Sequence, residues 1–167
     1  MIIHPVKPLY DKNSEILILG TFPSVKSREA QFFYAHPQNR FWKVMARICG
    51  ENTPQTVDEK TEIILKNNFA LWDVIKSCEI TGSADSSIKN VVPADLSIIL
   101  DTAKISHIFV NGKKAEQLYK KFLEKETGIK AVALPSTSPA NASWSTDRLF
   151  EYWNHAITAA KGERNDK

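Results

Sequence analysis

Four short segments of this chain are rich in Ile, Val, Leu and Phe, and each is followed at once by polar or turn-forming residues. They are residues 15–20 (EILILG), 69–73 (FALWD), 106–111 (SHIFVN) and 131–134 (AVAL). A strand with one face in water alternates apolar and polar side chains, whereas one covered on both faces runs continuously apolar. The four segments therefore read as buried parallel strands. Helical patterns lie between them. Phe41, Val44, Met45 and Ile48 fall at the i, i+3, i+4, i+7 spacing of one helical face. A helix is expected over 58–66, with Thr56 and Glu59 as its capping box. Another is expected over 113–126, where Ala115, Leu118, Tyr119 and Phe122 share a stripe and Gly128 supplies the stop. The last, over 146–160, buries Leu149, Trp153, Ala156 and Ile157. Strands alternating with helices predict an α/β chain, a parallel sheet with helices on both faces. No linker or repeat divides it, so residues 1–160 are expected to form a single domain. The polar stretch 161–167 (KGERNDK) is expected to be a disordered tail.

Composition removes several classes. With 167 residues, 43% hydrophobic and 25% charged, the chain is neither low-complexity nor disordered, and it is long enough to bury a proper core. No apolar run approaches the about 20 residues that span a bilayer. The N-terminus MIIHP lacks the basic and long apolar regions of a secretory signal, so a cytoplasmic protein is expected, associated with the nucleoid if the source is prokaryotic. Two cysteines, Cys49 and Cys78, fall short of the four thiolates of a Cys-only zinc or iron-sulfur site. No His or Cys stands at ligand spacing from His36, and no metal or other cofactor is expected. Twenty-two Lys and Arg against nineteen Asp and Glu leave a charge of +3, which neither demands nor forbids a polyanion.

In open parallel sheets ligands bind beyond the carboxyl ends of the strands. The segments that follow the four strands are Gly20-Thr21-Phe22-Pro23-Ser24, then Asp73, then Asn111-Gly112-Lys113, then Pro135-Ser136-Thr137-Ser138-Pro139-Ala140-Asn141. Their convergence on one crevice is the main functional expectation. Hydroxyls and backbone N–H groups at Ser24 and Ser27, with Lys26 as a point charge, suit a phosphate; an ordinary strand-to-helix turn accounts for the segment equally well. Residues 32–42 (FFYAHPQNRFW) set His36, Gln38, Asn39 and Arg40 among five aromatics. Aromatic faces stack on nucleobases and side-chain amides pair with base edges, although at least half of these aromatics are expected in the core. The two prolines of the last loop hold it in one shape, fit to grip a phosphodiester backbone. Asp73 is equally suited to chemistry and to capping the turn after it.

The blocks Gly20-Thr21-Phe22-Pro23-Ser24, Tyr34-Ala35-His36-Pro37-Gln38-Asn39-Arg40-Phe41-Trp42 and Ser136-Thr137-Ser138-Pro139-Ala140-Asn141 resemble the hypoxanthine-DNA (deoxyinosine) glycosylase family of the uracil-DNA glycosylase superfamily. Leu71-Trp72-Asp73-Val74 and Val110-Asn111-Gly112 sit where that family also has strand-end segments. The resemblance implies a three-layer α/β/α domain with a four-stranded parallel sheet, and excision of a deaminated base from DNA to leave an abasic site. The superfamily's first loop carries a water-positioning Asp or Asn; the segment Gly20-Thr21-Phe22-Pro23-Ser24 has neither, and the resemblance passes that role to Asn39. The last loop also lacks the His with which many relatives begin it.

The expected base pocket comprises Gly20, Thr21, Phe22, Tyr34, His36, Trp72, Asp73 and Asn111, with Phe22 or Trp72 stacking on the base and Asn111 or Asn39 reading its edge. DNA contacts are expected from Pro23, Ser24, Lys26, Ser27, Lys113, Ser136, Thr137, Ser138, Pro139, Ala140 and Asn141. The expected partner is DNA containing deaminated bases, with no membrane and no metal, and a monomeric state. Alternatives are a uracil or thymine mismatch glycosylase, an inactive nucleic-acid-binding module on the same fold, and a small nucleotide-binding enzyme. The lack of a Gly-rich phosphate loop counts against the last.

Overall fold

The computed structural model describes residues 1–165. In chain order the elements are β1 (Ile2–Ile3), β2 (Ile16–Gly20), α1 (Val25–Ala30), α2 (Phe41–Cys49), α3 (Val57–Lys66), β3 (Phe69–Asp73) and β4 (Ile75–Glu79). After a 3-10 turn (Asp85–Ser87) come β5 (Lys89–Pro93), α4 (Ser97–Leu100), β6 (His107–Asn111), α5 (Lys113–Phe122), α6 (Glu124–Thr127), β7 (Ala131–Leu134) and α7 (Thr146–Asn165).

The four apolar segments form one parallel sheet in the order β3-β2-β6-β7. Alternate side chains of each strand enter two separate cores. Ile16, Ile18, Phe69, Leu71, Phe109 and Leu134 pack with Phe41, Val44 and Met45 of α2, Ile63 and Ile64 of α3, and Leu149, Trp153 and Ile157 of α7. Leu17, Leu19, Ala70, Ile108 and Val110 face the other way, onto Ile99 of α4 and Ala115, Leu118 and Tyr119 of α5. Both faces are thus covered, which is why these strands are not alternating in sequence. The Thr56–Glu59 capping box forms as expected. Gly128, at φ 69°, ends the short α6 rather than one continuous helix from 113, because Leu123 breaks the run.

Two features differ from the sequence reading. The last helix continues to Asn165, so residues 161–165 are helical where a disordered tail was expected. In that stretch Lys161 Nζ lies 5.1 Å from the Phe69 ring centroid, and Glu163 reaches His107 Nε2 at 3.1 Å. The rest of that tail, residues 166 and 167, lies outside the described residues. The second difference is a small antiparallel sheet, β1-β4-β5, whose strands carry no strong periodic signal. In it Ile2 pairs with Cys78 and Ile3 with Ser77, and His4 N donates to Lys76 O at 2.8 Å. The chain then runs on to an isolated bridge between Leu9 and Leu71 on β3. This register carries the N-terminal segment past the carboxyl end of the parallel sheet. No helix among the described residues is long and apolar enough to cross a membrane.

Candidate active site at the strand ends

Gly20 and Asp73 are register partners at the ends of β2 and β3. A Cβ on Gly20 would lie 2.5 Å from Asp73 Oδ1 and 3.0 Å from Tyr34 Oη. The glycine is therefore a requirement of space, because it lets a carboxylate and a phenol close over the end of β2. Asp73 is buried, and its Oδ2 is 2.6 Å from Nε2 of His4, whose side chain is equally buried. His4 Nδ1 accepts the Val6 N–H at 3.1 Å. An imidazole nitrogen that accepts carries no proton, so the hydrogen sits on Nε2 and points at Asp73. Asp73 Oδ1 accepts no hydrogen bond among the described residues. His4 is a site residue that sequence reasoning missed: it lies 69 positions from its partner, in a segment with no local signal.

Tyr34 occupies the left-handed region at φ 51°, a conformation uncommon outside glycine and often retained at functional sites. Its ring meets Phe41 edge-on, centroids 4.0 Å apart, and its hydroxyl accepts from Asn111 Nδ2 at 3.3 Å. Burial, then the Asp73 carboxylate, raises its pKa far above the ordinary phenol value, so Tyr34 remains a hydroxyl donor.

Asn111 is more committed than the sequence suggests. Nδ2 also donates to Thr137 Oγ1 at 3.1 Å, and Oδ1 accepts from Thr137 N at 3.1 Å. Both amide hydrogens are spent, so Asn111 ties the fourth loop to the sheet instead of offering a free edge to a base. Thr137 is fully buried in this contact and Ser27 is buried with its Oγ accepting Ala35 N at 3.0 Å. These two expected DNA contacts hold loops in place. Pro23 is buried, while Ser24 caps α1 by accepting Ser27 N at 3.2 Å. Lys26, Lys113 and Ala140 are exposed.

The fourth loop braces itself through Ser136 Oγ accepting Ser138 N, Ser138 Oγ accepting Ala140 N, and Asn141 Nδ2 donating to Ser136 O. Pro139 is half-buried within it. Gly112, at φ 99°, lets Ser136 approach: a Cβ there would meet Ser136 Cβ at 3.2 Å. Beneath the loop lies a second residue to which the sequence reading assigned no role. Arg40 donates to the carbonyls of Thr137 (Nε, 3.3 Å), Ser138 and Asn141 (Nη2, 2.8 and 3.1 Å) and Trp144 (Nη1), and its backbone N–H reaches Thr137 O at 3.1 Å. Its presence in the aromatic block was visible; the inward aim of four carbonyls was not.

Beside it, Asn39 Oδ1 accepts the N–H of Phe41, the first residue of α2, at 2.9 Å, while Nδ2 donates to nothing among the described residues. His36 accepts Gln38 N on Nδ1 at 3.1 Å and stays with its own loop. Phe22 and Trp72 both meet the His4 ring edge-on, at 5.6 and 6.2 Å, and Trp72 Nε1 donates to Val6 O. Thr21 is buried beside Phe22. Among the described residues no three His, Cys, Asp or Glu side chains gather as a metal site. Burial pushes the Cys49 thiol up to about 11, away from thiolate chemistry.

The strand ends thus gather a carboxylate oxygen without a partner among the described residues, a retained hydroxyl and an aromatic wall, and the loop before α2 adds an amide whose NH2 has no partner among them. The family model of the uracil DNA glycosylase superfamily matches residues 7–158. A hypoxanthine DNA glycosylase of Methanosarcina acetivorans is 38% identical over 144 residues, covering 85% of this chain and 90% of that protein. Another, from Methanosarcina barkeri, is 35% identical over 136 residues, covering 80% and 85%. A solution NMR structure provisionally assigned as a uracil DNA glycosylase of Methanosarcina acetivorans superposes with a TM-score of 0.80 at 33% identity, over 96% of this chain and 99% of that one. The fold and these likenesses agree, and the chain belongs to the uracil DNA glycosylase superfamily, in its hypoxanthine DNA glycosylase branch.

Proposed function

We propose that this protein releases hypoxanthine from DNA by hydrolysing the N-glycosidic bond of a flipped deoxyinosine, leaving an abasic site. The observation that carries the reading is the 38% identity, over 85% of the chain, to a protein named for that activity. Extruding the nucleotide costs a few kcal/mol, least where pairing is already imperfect, and a deaminated base mispairs. Phe22 forms the aromatic wall against which the flipped base stacks. As the bond lengthens, charge builds on the departing base and on the sugar, and preorganised donors around the base lower the barrier.

Asn39 orients the attacking water. The Phe41 N–H fixes the side chain, leaving Nδ2 and one lone pair of Oδ1 for a water molecule. An amide is a feeble base, yet a nearly dissociated sugar cation demands little base strength. Arg40, one residue on, holds the fourth loop, so the water-orienting residue and the DNA-gripping loop are anchored to the start of the same helix. Lys26 and Lys113 supply exposed cations for the phosphates on either side of the flipped nucleotide.

The direct test is base release from duplexes carrying hypoxanthine, uracil or mismatched thymine at one position, followed by cleavage of the abasic product. Hypoxanthine is expected to be released fastest. A chain that turns over free nucleotides while leaving every duplex intact contradicts the proposal.

A further inference from the structure

Resting on the proposed function, one relationship at the strand ends bears on which bases are accepted. Asp73 and His4 form a buried pair whose hydrogen-bond polarity has a single solution. His4 Nδ1 accepts the Val6 N–H, so Nε2 must donate, and Asp73 Oδ2 must accept. The remaining oxygen, Oδ1, lies at the Gly20 surface beside the Tyr34 hydroxyl, with no partner among the described residues.

We propose that His4 is a positioning residue that locks Asp73 as a hydrogen-bond acceptor, so that Oδ1 selects bases bearing a lactam N–H. Hydrolytic deamination changes that one atom's polarity. Adenine N1 and cytosine N3 are bare acceptors, whereas hypoxanthine N1 and uracil N3 carry hydrogen. A carboxylate oxygen welcomes the second pair and leaves the first facing an unpaired acceptor, which is costly in a buried site. The adjacent lactam carbonyl requires a donor, and the Tyr34 hydroxyl, which accepts from Asn111, still has its own hydrogen to give. Guanine shares the N1–H, so this contact separates lactam bases from adenine and cytosine, not hypoxanthine from guanine. Because a carboxylate does not favour negative charge on a departing base, the contact acts in recognition. His4 stands ahead of residues 7–158, the stretch that matches the superfamily model.

The polarity lock makes Asp73→Asn diagnostic. With His4 demanding an acceptor, the substituted side-chain amide must turn its carbonyl to His4 and its NH2 to the base, presenting a donor where Oδ1 accepted. The readout is affinity for two duplexes with a cleavage-resistant 2′-fluoro nucleotide, one bearing hypoxanthine and one bearing adenine. Wild type is expected to prefer hypoxanthine, and D73N to lose that preference by about 100-fold. In the double variant His4→Gln with D73N, the glutamine either donates or accepts. The amide at position 73 is then free to turn over, and at least a tenth of the lost preference is expected to return. A merely structural role for His4 predicts the reverse, a further loss in the double variant. A D73N preference within ~3-fold of wild type, in a protein whose thermal unfolding remains cooperative, overturns the inference. If wild type still releases hypoxanthine from an unfluorinated duplex in that case, the proposed function survives; if it releases neither hypoxanthine nor uracil, both readings fall.

Discussion

The His4 imidazole and the Asp73 carboxylate stand 2.6 Å apart because β1 runs antiparallel to β4, and β4 begins two residues after the end of β3. The small sheet therefore does for the site what the large one cannot. It brings a side chain from the N-terminus over the carboxyl ends of the parallel strands and fixes the one buried carboxylate among them.

The close approach over Gly20 predicts that Gly20→Ala fails for want of space. The new methyl would meet Asp73 Oδ1 at 2.5 Å and press on the Tyr34 hydroxyl. A destabilisation of about 1–3 kcal/mol is expected from overpacking, with base release falling by ~100-fold or more, since both polar groups must move. Urea unfolding and single-turnover base release check the two parts separately.

Arg40→Lys is expected to behave as a loss, not a conservative change. An ammonium cannot span the carbonyls of Thr137, Ser138, Asn141 and Trp144 as a planar fork does. Stability should drop by about 2–4 kcal/mol, as several charge-assisted bonds disappear, and proteolysis within residues 136–144 should accelerate. Retained loop protection in Arg40→Lys would assign the bracing to the loop's own Ser and Asn contacts.

Much of this was legible in the sequence, for a physical reason. Strands buried on both faces must be apolar throughout, so β2, β3 and β6 announced themselves, while the edge strand β7 reads apolar although Val132 is exposed; the segments after the four strands marked the carboxyl end of the sheet. Capping also reads locally, as at Thr56 and Glu59. What could not be read was polarity at a distance. Asn111 looked like a base reader until both its amide hydrogens were found on Tyr34 and Thr137. Ser27 and Thr137 looked like DNA contacts, yet both are buried. His4 and Arg40 owe their places to partners 69 and about 100 residues away, a separation no local pattern encodes.

Lys26 and Lys113 are exposed at the starts of α1 and α5, the helices that follow β2 and β6, and each should neutralise a phosphate. Replacing either by alanine is expected to reduce the slope of log affinity against log salt by about 0.9 and to weaken binding alike for damaged and undamaged duplexes. A slope equal to that of wild type removes the residue from the DNA interface.

Tyr34 links pH to stability. Burial and the Asp73 carboxylate raise its pKa above the ordinary value of 10.0. As pH climbs past that value the unfolded chain gives up the phenolic proton while the folded one keeps it, so stability falls. Between pH 10 and 11 wild type should lose about 1 kcal/mol more than Tyr34→Phe, which has no proton to lose. Parallel urea titrations of the two proteins measure the difference; equal losses would mean that the phenol titrates normally in the fold.

The role of Asn39 in base excision is decided by base release from a hypoxanthine duplex with wild type, Asn39→Ala and Asn39→Ser. Serine can still accept the Phe41 N–H while alanine loses that bond at about 1 kcal/mol, so a comparison of the two separates folding from chemistry. Wild type is expected to release the base, and both variants to do so ~100-fold or more slowly, as when one preorganised polar group is removed. Wild type that leaves hypoxanthine in place, or variants that release it at the wild-type rate, would contradict the proposed chemistry.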